Sequence, residues 1–393
     1  FPAGRYLTGT IFMKSHVHLH LDAGATLLGS EGVSAAPGLG VRGVVAGRTV
    51  LVGKADLLRG AGAGLSLDAR VEEMRQRGRT VVRIAVDGTE AGALGIADGA
   101  FVAALAMNSD RYIELFFAVP WAGGAFAPLN IRWSVAENDY ALTDSRASVL
   151  FVDEHFLDQA LVLKQRQSWL KTLAWMGEGP CPDGLLDYES LVAGTAALPD
   201  ANRAGEDLWV IFYTGGTTAH PKGVMMSHRG LFVATMGYLA WLPDVEDLSF
   251  AYVAGYFHFA GASALLYITM AGGTHVPLPK FDPVLVMQAI QEHKVTNAVL
   301  VPTMINMLLS HPDFDRYDLS SLRTCVYGGS PMPEALIMQA MKRLPTWRFF
   351  QVFGMTETGG FATILRWRDH LTEGPRSRRL RSAGQPAFGN EVK

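Results

Sequence analysis

Two cysteines, Cys181 and Cys325, are all that 393 residues carry. They stand far apart with no second ligand beside either. That excludes a disulfide framework and a cysteine zinc site, and it points to a reducing compartment. Charge of one sign is also scarce. The 34 basic and 37 acidic residues leave a formal net charge of -3, without the basic surplus of a nucleic-acid-binding domain. Every apolar run is broken by Gly, Pro, Asp or His before the roughly 20 residues a membrane span needs. Phe1 opens the chain with neither a basic n-region nor an apolar h-region, so no secretory signal is read there. A cytoplasmic protein without a membrane span is the expectation. What the chain does have is apolar material: 49% of it is hydrophobic and 18% charged. That is enough for a packed core and suggests roughly two or three domains.

The chain reads as three unlike pieces. In the first, residues 1–32, strict alternation from His16 to Leu21 predicts a strand. Val17, Leu19 and Leu21 share one face, and His16, His18 and His20 the other. Three histidines on one strand can hold a metal, but no acidic or fourth ligand is near, and they read as a solvated face. Phe1 to Ser30 resembles the N-terminal coils of polygalacturonase-type pectin-degrading enzymes, which are parallel β-helices. The paired catalytic aspartates of that family are absent, so its activity does not carry over.

In the second piece, residues 33–98, Gly38-Leu-Gly40-Val-Arg-Gly43 has the spacing of a dinucleotide fingerprint. Strand-like Val44-Val45 and Thr49 to Val52 follow it where a helix start is required, which rejects that reading. Gly53-Lys54 is no Walker motif, since Ala55 stands where a hydroxyl should meet magnesium. Pro37 to Leu58 and Gly78 to Asp98 resemble the nucleotide-binding domain of copper-type P-type ATPases. The resemblance would set Gly38 and Gly40 against ATP. The phosphorylated Asp-Lys-Thr-Gly-Thr and the membrane helices of that family are missing, which excludes transport. Asp68 to Arg77 predicts a short charged helix with Val71 and Met74 inward.

The third piece, residues 99–393, alternates strands with helices. Strands are predicted at Phe101 to Met107, Ser148 to Val152, Leu208 to Tyr213, Ala251 to Phe257, Asn297 to Val301 and Thr324 to Tyr327. Helices are predicted at Tyr112 to Pro120 and after His228, Pro283, Thr303 and Pro333. This alternation specifies an α/β fold with helix-covered parallel sheets, preceded by short β-rich segments.

The chemistry-bearing signals lie in this piece. Tyr213-Thr-Gly-Gly-Thr-Thr-Ala-His-Pro-Lys-Gly223 follows a buried strand directly. Gly215 and Gly216 permit a tight turn with exposed amides, Thr214, Thr217 and Thr218 add hydroxyls, and Lys222 adds one cation. Many donors, one positive charge and no bulk suit a chain of phosphates. The segment resembles the phosphate-binding signature of the adenylate-forming superfamily, which includes acyl-CoA synthetases, luciferases and peptide-synthetase adenylation domains.

Other segments agree in order. Tyr327-Gly-Gly-Ser-Pro-Met-Pro333 resembles the family's adenine-contacting turn, and implies cofactor contacts at Gly328, Gly329, Ser330 and Pro331. Gln351 to Gly359 resembles the motif with a threonine near the α-phosphate and a glutamate near magnesium. These are Thr356 and Glu357, with Gly354 and Met355 beside the nucleotide; a hard cation wants a carboxylate. Thr214 is the second implied metal contact. Phe257-His258 resembles the motif beside the acyl pocket, although Gly255 stands where the family has Pro, and Tyr327 and Phe353 complete that implied pocket. Ser382-Ala-Gly-Gln-Pro386 resembles the segment before the family's smaller half.

The resemblance thus implies ATP-dependent activation of a carboxylic acid, in first place a fatty acid, to an acyl-adenylate and then to acyl-CoA. ATP, magnesium and coenzyme A are the implied cofactors, with Lys222, Thr356 and Glu357 catalytic. A homo-oligomeric state is left open. The family continues into a Tyr-x-Thr-Gly-Asp segment, a hinge and a small domain with a catalytic lysine, none of which follows in these 393 residues. A large domain truncated at its C-terminus, with impaired activity, is therefore the expectation. A non-catalytic nucleotide-binding composite protein is the alternative, separable by pyrophosphate release.

Overall fold

The computed structural model describes residues 5–7, 26–28, 34–36, 40–45, 48–53, 79–86, 89–97, 99–193, 200–215, 220–241, 247–387 and 390–392. The predicted strand at His16–Leu21, the predicted helix at Asp68–Arg77, Gly38 and Lys54 all lie outside them. Before residue 98 the described residues form two small sheets. Strands β1 (Arg5–Leu7) and β2 (Thr26–Leu28) pair in parallel. An antiparallel meander joins β3 (Ser34–Ala36), β4 (Gly40–Val45), β5 (Arg48–Gly53), β6 (Arg79–Val86) and β7 (Thr89–Ala97). Gly40–Val45 and Arg48–Gly53 are thus strand, as expected from the β-branched run Thr49 to Val52.

From residue 99 the chain builds two seven-stranded sheets. The first has β8 (Phe101–Leu105), β9 (Ala125–Pro128), β10 (Val149–Val152), β11 (Thr172–Trp175), β12 (Leu186–Asp187), β13 (Leu208–Thr214) and β14 (Lys222–Ser227), in the order β12-β11-β10-β8-β9-β13-β14. The second has β15 (Ser249–Tyr252), β16 (Thr274–Pro277), β17 (Asn297–Leu300), β18 (Thr324–Gly328), β19 (Arg348–Met355), β20 (Gly360–Leu365) and β21 (Gln385–Pro386), in the order β16-β15-β17-β18-β19-β20-β21. Pairing is parallel except at one edge of each sheet. There β13 meets β14, and β19 meets β20 and then β21, antiparallel.

Helices fill three layers around the sheets. Helix α1 (Asp110–Trp121) begins at Ser109, whose hydroxyl accepts from Tyr112 N at 3.2 Å. Helix α2 (Val135–Ser145) starts on a reciprocal box: Ser134 N donates to Glu137 Oε2 at 2.8 Å, and Glu137 N to Ser134 Oγ at 3.4 Å. Next come α3 (Leu157–Arg166), α4 (Tyr188–Ala193), α5 (His228–Trp241), α6 (Phe259–Ala262) and α7 (Ala264–Met270). Helix α8 (Pro283–Glu292) combines proline at its first position with an Asp282 cap, and α9 (Pro302–Leu309) and α10 (Glu334–Arg343) follow.

The core divides accordingly. Val102, Phe126 and Phe212 of the first sheet share one apolar cluster with Phe250, Val326 and Phe350 of the second, and α1, α5 and α7 lie between them. Helices α2 and α3 cover the outer face of the first sheet, and α8, α9 and α10 that of the second. The central parallel strands, such as β8, β10 and β18, are covered on both faces, which is why their residues are apolar almost without interruption. Among the described residues no helix is long and apolar enough to cross a membrane.

Candidate active site

The carboxyl ends of β15, β17, β18 and β19 lie side by side, so the loops that leave them converge. The loop after β15 carries Phe257 and His258. Phe257 is buried, and His258 is exposed at the N-cap of α6. A buried asparagine at the end of the first sheet holds this loop. Asn108 Nδ2 donates to Ala254 O at 2.9 Å, and Asn108 Oδ1 accepts from Tyr256 N at 2.9 Å. Gly261 then lets α6 lie on the same backbone, because a Cβ there would meet Gly255 O at 2.2 Å.

Gly328 ends β18, buried and in register with Val352 of β19. Gly329 follows with φ 76°, a left-handed turn that turns the chain outward, and Ser330 and Pro331 are exposed beyond it. Tyr327, one residue earlier, points into the core. His370 donates from Nδ1 to Arg366 O at 2.9 Å, so its Nε2 accepts from the Tyr327 hydroxyl at 2.9 Å. Burial holds this imidazole below its ordinary pKa and the phenol above its own, so both remain neutral.

Thr356 and Glu357 sit on a short 3-10 turn between β19 and β20, with Gly359 closing it at φ 68°. Met355 N donates to Thr358 Oγ1 at 3.1 Å and fixes the start of the turn. Phe353, Gly354 and Met355 lead into it, exposed.

A cavity of about 300 Å³ lies against this turn. One wall is Thr356, Glu357, Thr358 and Gly359. The opposite wall is Val224 to Ser227 of β14 and one face of α5. Strand β14 is the returning arm of a hairpin whose outgoing arm is β13, and Thr214 and Lys222 are register partners at its open end. Thr214 Oγ1 donates to Lys222 O at 3.4 Å. Lys222 is exposed and makes no ion pair with a described residue; the same holds for Glu357. Gly215 is exposed, while Gly216, Thr217 and Thr218 lie outside the described residues.

The structure thus joins Thr356 and Glu357 to the strand that begins at Lys222. It keeps Tyr327 and Phe257 in the core and leaves Phe353 facing outward. Sequence reasoning did not single out the α5 wall. Gly230, Val233, Ala234, Gly237 and Tyr238 all line the cavity, and their spacing of i, i+3, i+4, i+7 and i+8 was a readable helical stripe of mostly small residues. Asn108 and Phe361 carried no local pattern at all.

Residues 91–393 match the family model described as AMP-binding enzyme. The chain is 34% identical over 305 residues to a feruloyl-CoA synthase of Amycolatopsis sp, covering 77% of this chain and 57% of the relative. It is 30% identical over 302 residues to the long-chain-fatty-acid–CoA ligase FadD13 of Mycobacterium tuberculosis, covering 76% and 57%. Among solved structures, the inhibitor-bound N-terminal domain of FACL13 from Mycobacterium tuberculosis superimposes with a TM-score of 0.65 at 28% identity, over 75% of this chain and 70% of that one. An anthranilate CoA ligase, AuaEII, in complex with anthranoyl-AMP gives 0.67 at 25% identity, over 75% and 56%. The chain spans about half the length of the curated relatives it matches.

Proposed function

The chain belongs to the AMP-binding enzyme family, and from that premise we propose that it activates a carboxylic acid with ATP and transfers the acyl group to coenzyme A. In the first step a carboxylate oxygen attacks the α-phosphorus and pyrophosphate leaves. In the second a thiol sulfur attacks the acyl carbon and AMP leaves. The observation that carries this reading is the single cavity shared by the Thr356-Glu357 turn and the strand that starts at Lys222. Activation by this route is mainly alignment and charge neutralisation, and it asks for no general base. In this reading the activating unit is residues 99–393, and the upstream fragments 1–32 and 33–98 take no part.

Lys222 brings its ammonium to phosphate oxygens, and Thr214, Thr217 and Thr218 offer hydroxyls with the amides of Gly215 and Gly216. Thr356 donates to the oxygen on which charge builds during attack. Gly328, Gly329, Ser330 and Pro331, with Gly354 and Met355, border the base and sugar. Phe257, His258, Tyr327 and Phe353 belong to the elements that bound the acid.

Magnesium fits a site of this make-up. Among the described residues no group of three or more His, Cys, Asp or Glu could hold a metal. Glu357 is nevertheless a carboxylate on the cavity wall with no ion-pair partner among the described residues. One or two protein oxygens completed by substrate phosphates is the usual magnesium arrangement. Glu357, with Thr214, would hold the ion, which when bound with the nucleotide neutralises phosphate charge.

Pyrophosphate release tests the proposal, with ferulate, indoleacetate and medium- and long-chain fatty acids offered in turn. The relatives carry names for acids of these kinds. Release that depends on one of the acids supports the reading. Nucleotide binding with no acid-dependent release from any of them favours the non-catalytic alternative.

A further inference from the structure

Helix α2 contacts the 213–222 segment on both sides. Tyr213 is buried and donates its hydroxyl to Asp144 Oδ2 at 2.8 Å. Burial, and then the Asp144 carboxylate, raise the phenol's pKa, so it remains a donor. On the other side the His220 ring stacks on Tyr140, with centroids 4.8 Å apart and planes 10° from parallel. Tyr140 and Asp144 are four residues apart, hence neighbours on one face of the helix. Tyr213 immediately precedes Thr214, and His220 stands two residues before Lys222. The two contacts therefore bracket the register pair Thr214 and Lys222 at the open end of the hairpin. The start of α2 is itself fixed by the Ser134–Glu137 box.

We propose that Tyr140 is a positioning residue for nucleotide binding: its stack on His220, together with Asp144 on Tyr213, holds Thr214 and Lys222 at a set spacing for the phosphates. This rests on the function proposed above. The stack is chemically suited to such a task. Tyr140 is half-buried and His220 exposed, so the contact adds little to the core. It does restrict the residue pair that leads into Lys222. Only the ring of Tyr140 is used, because among the described residues no hydrogen bond of its hydroxyl enters the arrangement.

Hydrogen exchange and magnesium-ATP titration on the full chain test this together. In nucleotide-free protein, Tyr140→Leu should speed exchange of amides between His220 and Ser227, while Tyr140→Phe should match the unaltered chain. In titration, Tyr140→Leu and His220→Leu should each weaken magnesium-ATP binding by about three- to tenfold, as expected for one aromatic pair. The double variant should be no weaker than either single one, because both remove the same contact. Unchanged exchange in Tyr140→Leu overturns the clamp, and so do losses that multiply in the double variant. An unaltered chain that binds no magnesium-ATP overturns the function reading instead, and the exchange measurement then still decides the clamp.

Discussion

Asn108→Ala tests how the two sheets are tied together. Asn108 is 6% exposed in the loop that follows β8. Its amide spans to the loop after β15 with three bonds: to Ala254 O at 2.9 Å, to Tyr252 O at 3.4 Å and from Tyr256 N at 2.9 Å. The three are not equal. Tyr252 O also accepts from Leu278 N at 3.1 Å and keeps a partner when Asn108 is gone. Tyr256 N–H is left buried and unpaired, at a cost of about 1–3 kcal/mol. Ala254 belongs to a half-exposed residue that water reaches, so its lost bond costs about 0.5–1.5 kcal/mol. The expected loss is therefore about 2–4 kcal/mol, a large effect for one substitution. Urea unfolding followed by tryptophan fluorescence measures it, and the thermal midpoint should fall by roughly 3–6 °C for a unit of this size. Asn108→Asp keeps the shape and the acceptor, but sets a carboxylate against two carbonyl oxygens, so it should be no more stable than the alanine variant. A loss under about 1 kcal/mol for Asn108→Ala, or an aspartate variant as stable as the unaltered chain, refutes the assignment of these bonds as the tie.

The remaining expectations concern the metal, the pH response and one close approach. Calorimetry should find that Glu357→Ala weakens ATP binding only when magnesium is present, and that Lys222→Ala weakens it in either case, since one acts through the ion and the other meets phosphate directly; equal losses for Glu357→Ala under both conditions would remove the metal role. His275 accepts from the Tyr252 hydroxyl at 2.8 Å and donates to Thr269 Oγ1 at 3.0 Å, and burial lowers its pKa to about 4. A depressed histidine pKa leaves stability intact above pH 6.5 and erodes it as pH falls toward 4, because the unfolded chain takes up the proton first; the loss should reach about 2–3 kcal/mol. His275→Gln should show a smaller loss over that window in urea midpoints at pH 7.5 and 4.5, and an identical loss would assign the acid sensitivity elsewhere. Gly261→Ala should destabilise by about 1–3 kcal/mol, because its Cβ would sit 2.2 Å from a backbone oxygen that no rotamer can move aside; a neutral outcome in thermal unfolding would show that α6 can shift away.

Residues acting locally made the fold class legible. The Pro283 helix start and apolar runs such as Leu208 to Tyr213 announce their elements within a few positions, whereas the Ser134–Glu137 box of α2 was not singled out. The Gly/Thr/Lys segment and Thr356-Glu357 were equally visible as candidates, because the phosphate and metal chemistry proposed for them restricts residue type at fixed spacing. The edge strands were not legible. Lys222 to Ser227 mixes lysine, glycine and two methionines, and it becomes strand β14 because β13 offers an unpaired edge beside it. Strands β20 and β21 arise likewise from pairing on β19. Asn108 is one polar residue whose partners lie 144 to 148 positions away, and Tyr140 meets a histidine 80 positions downstream. No local pattern can encode such contacts. The sequence alone determined the central strands, the helices beside them and which residues are candidates for phosphate chemistry, since those depend on short-range sterics and residue type. The tertiary structure alone decided which of them share a cavity and what holds them there, since that depends on the order in which strands pair and on hydrogen bonds made across the sheets.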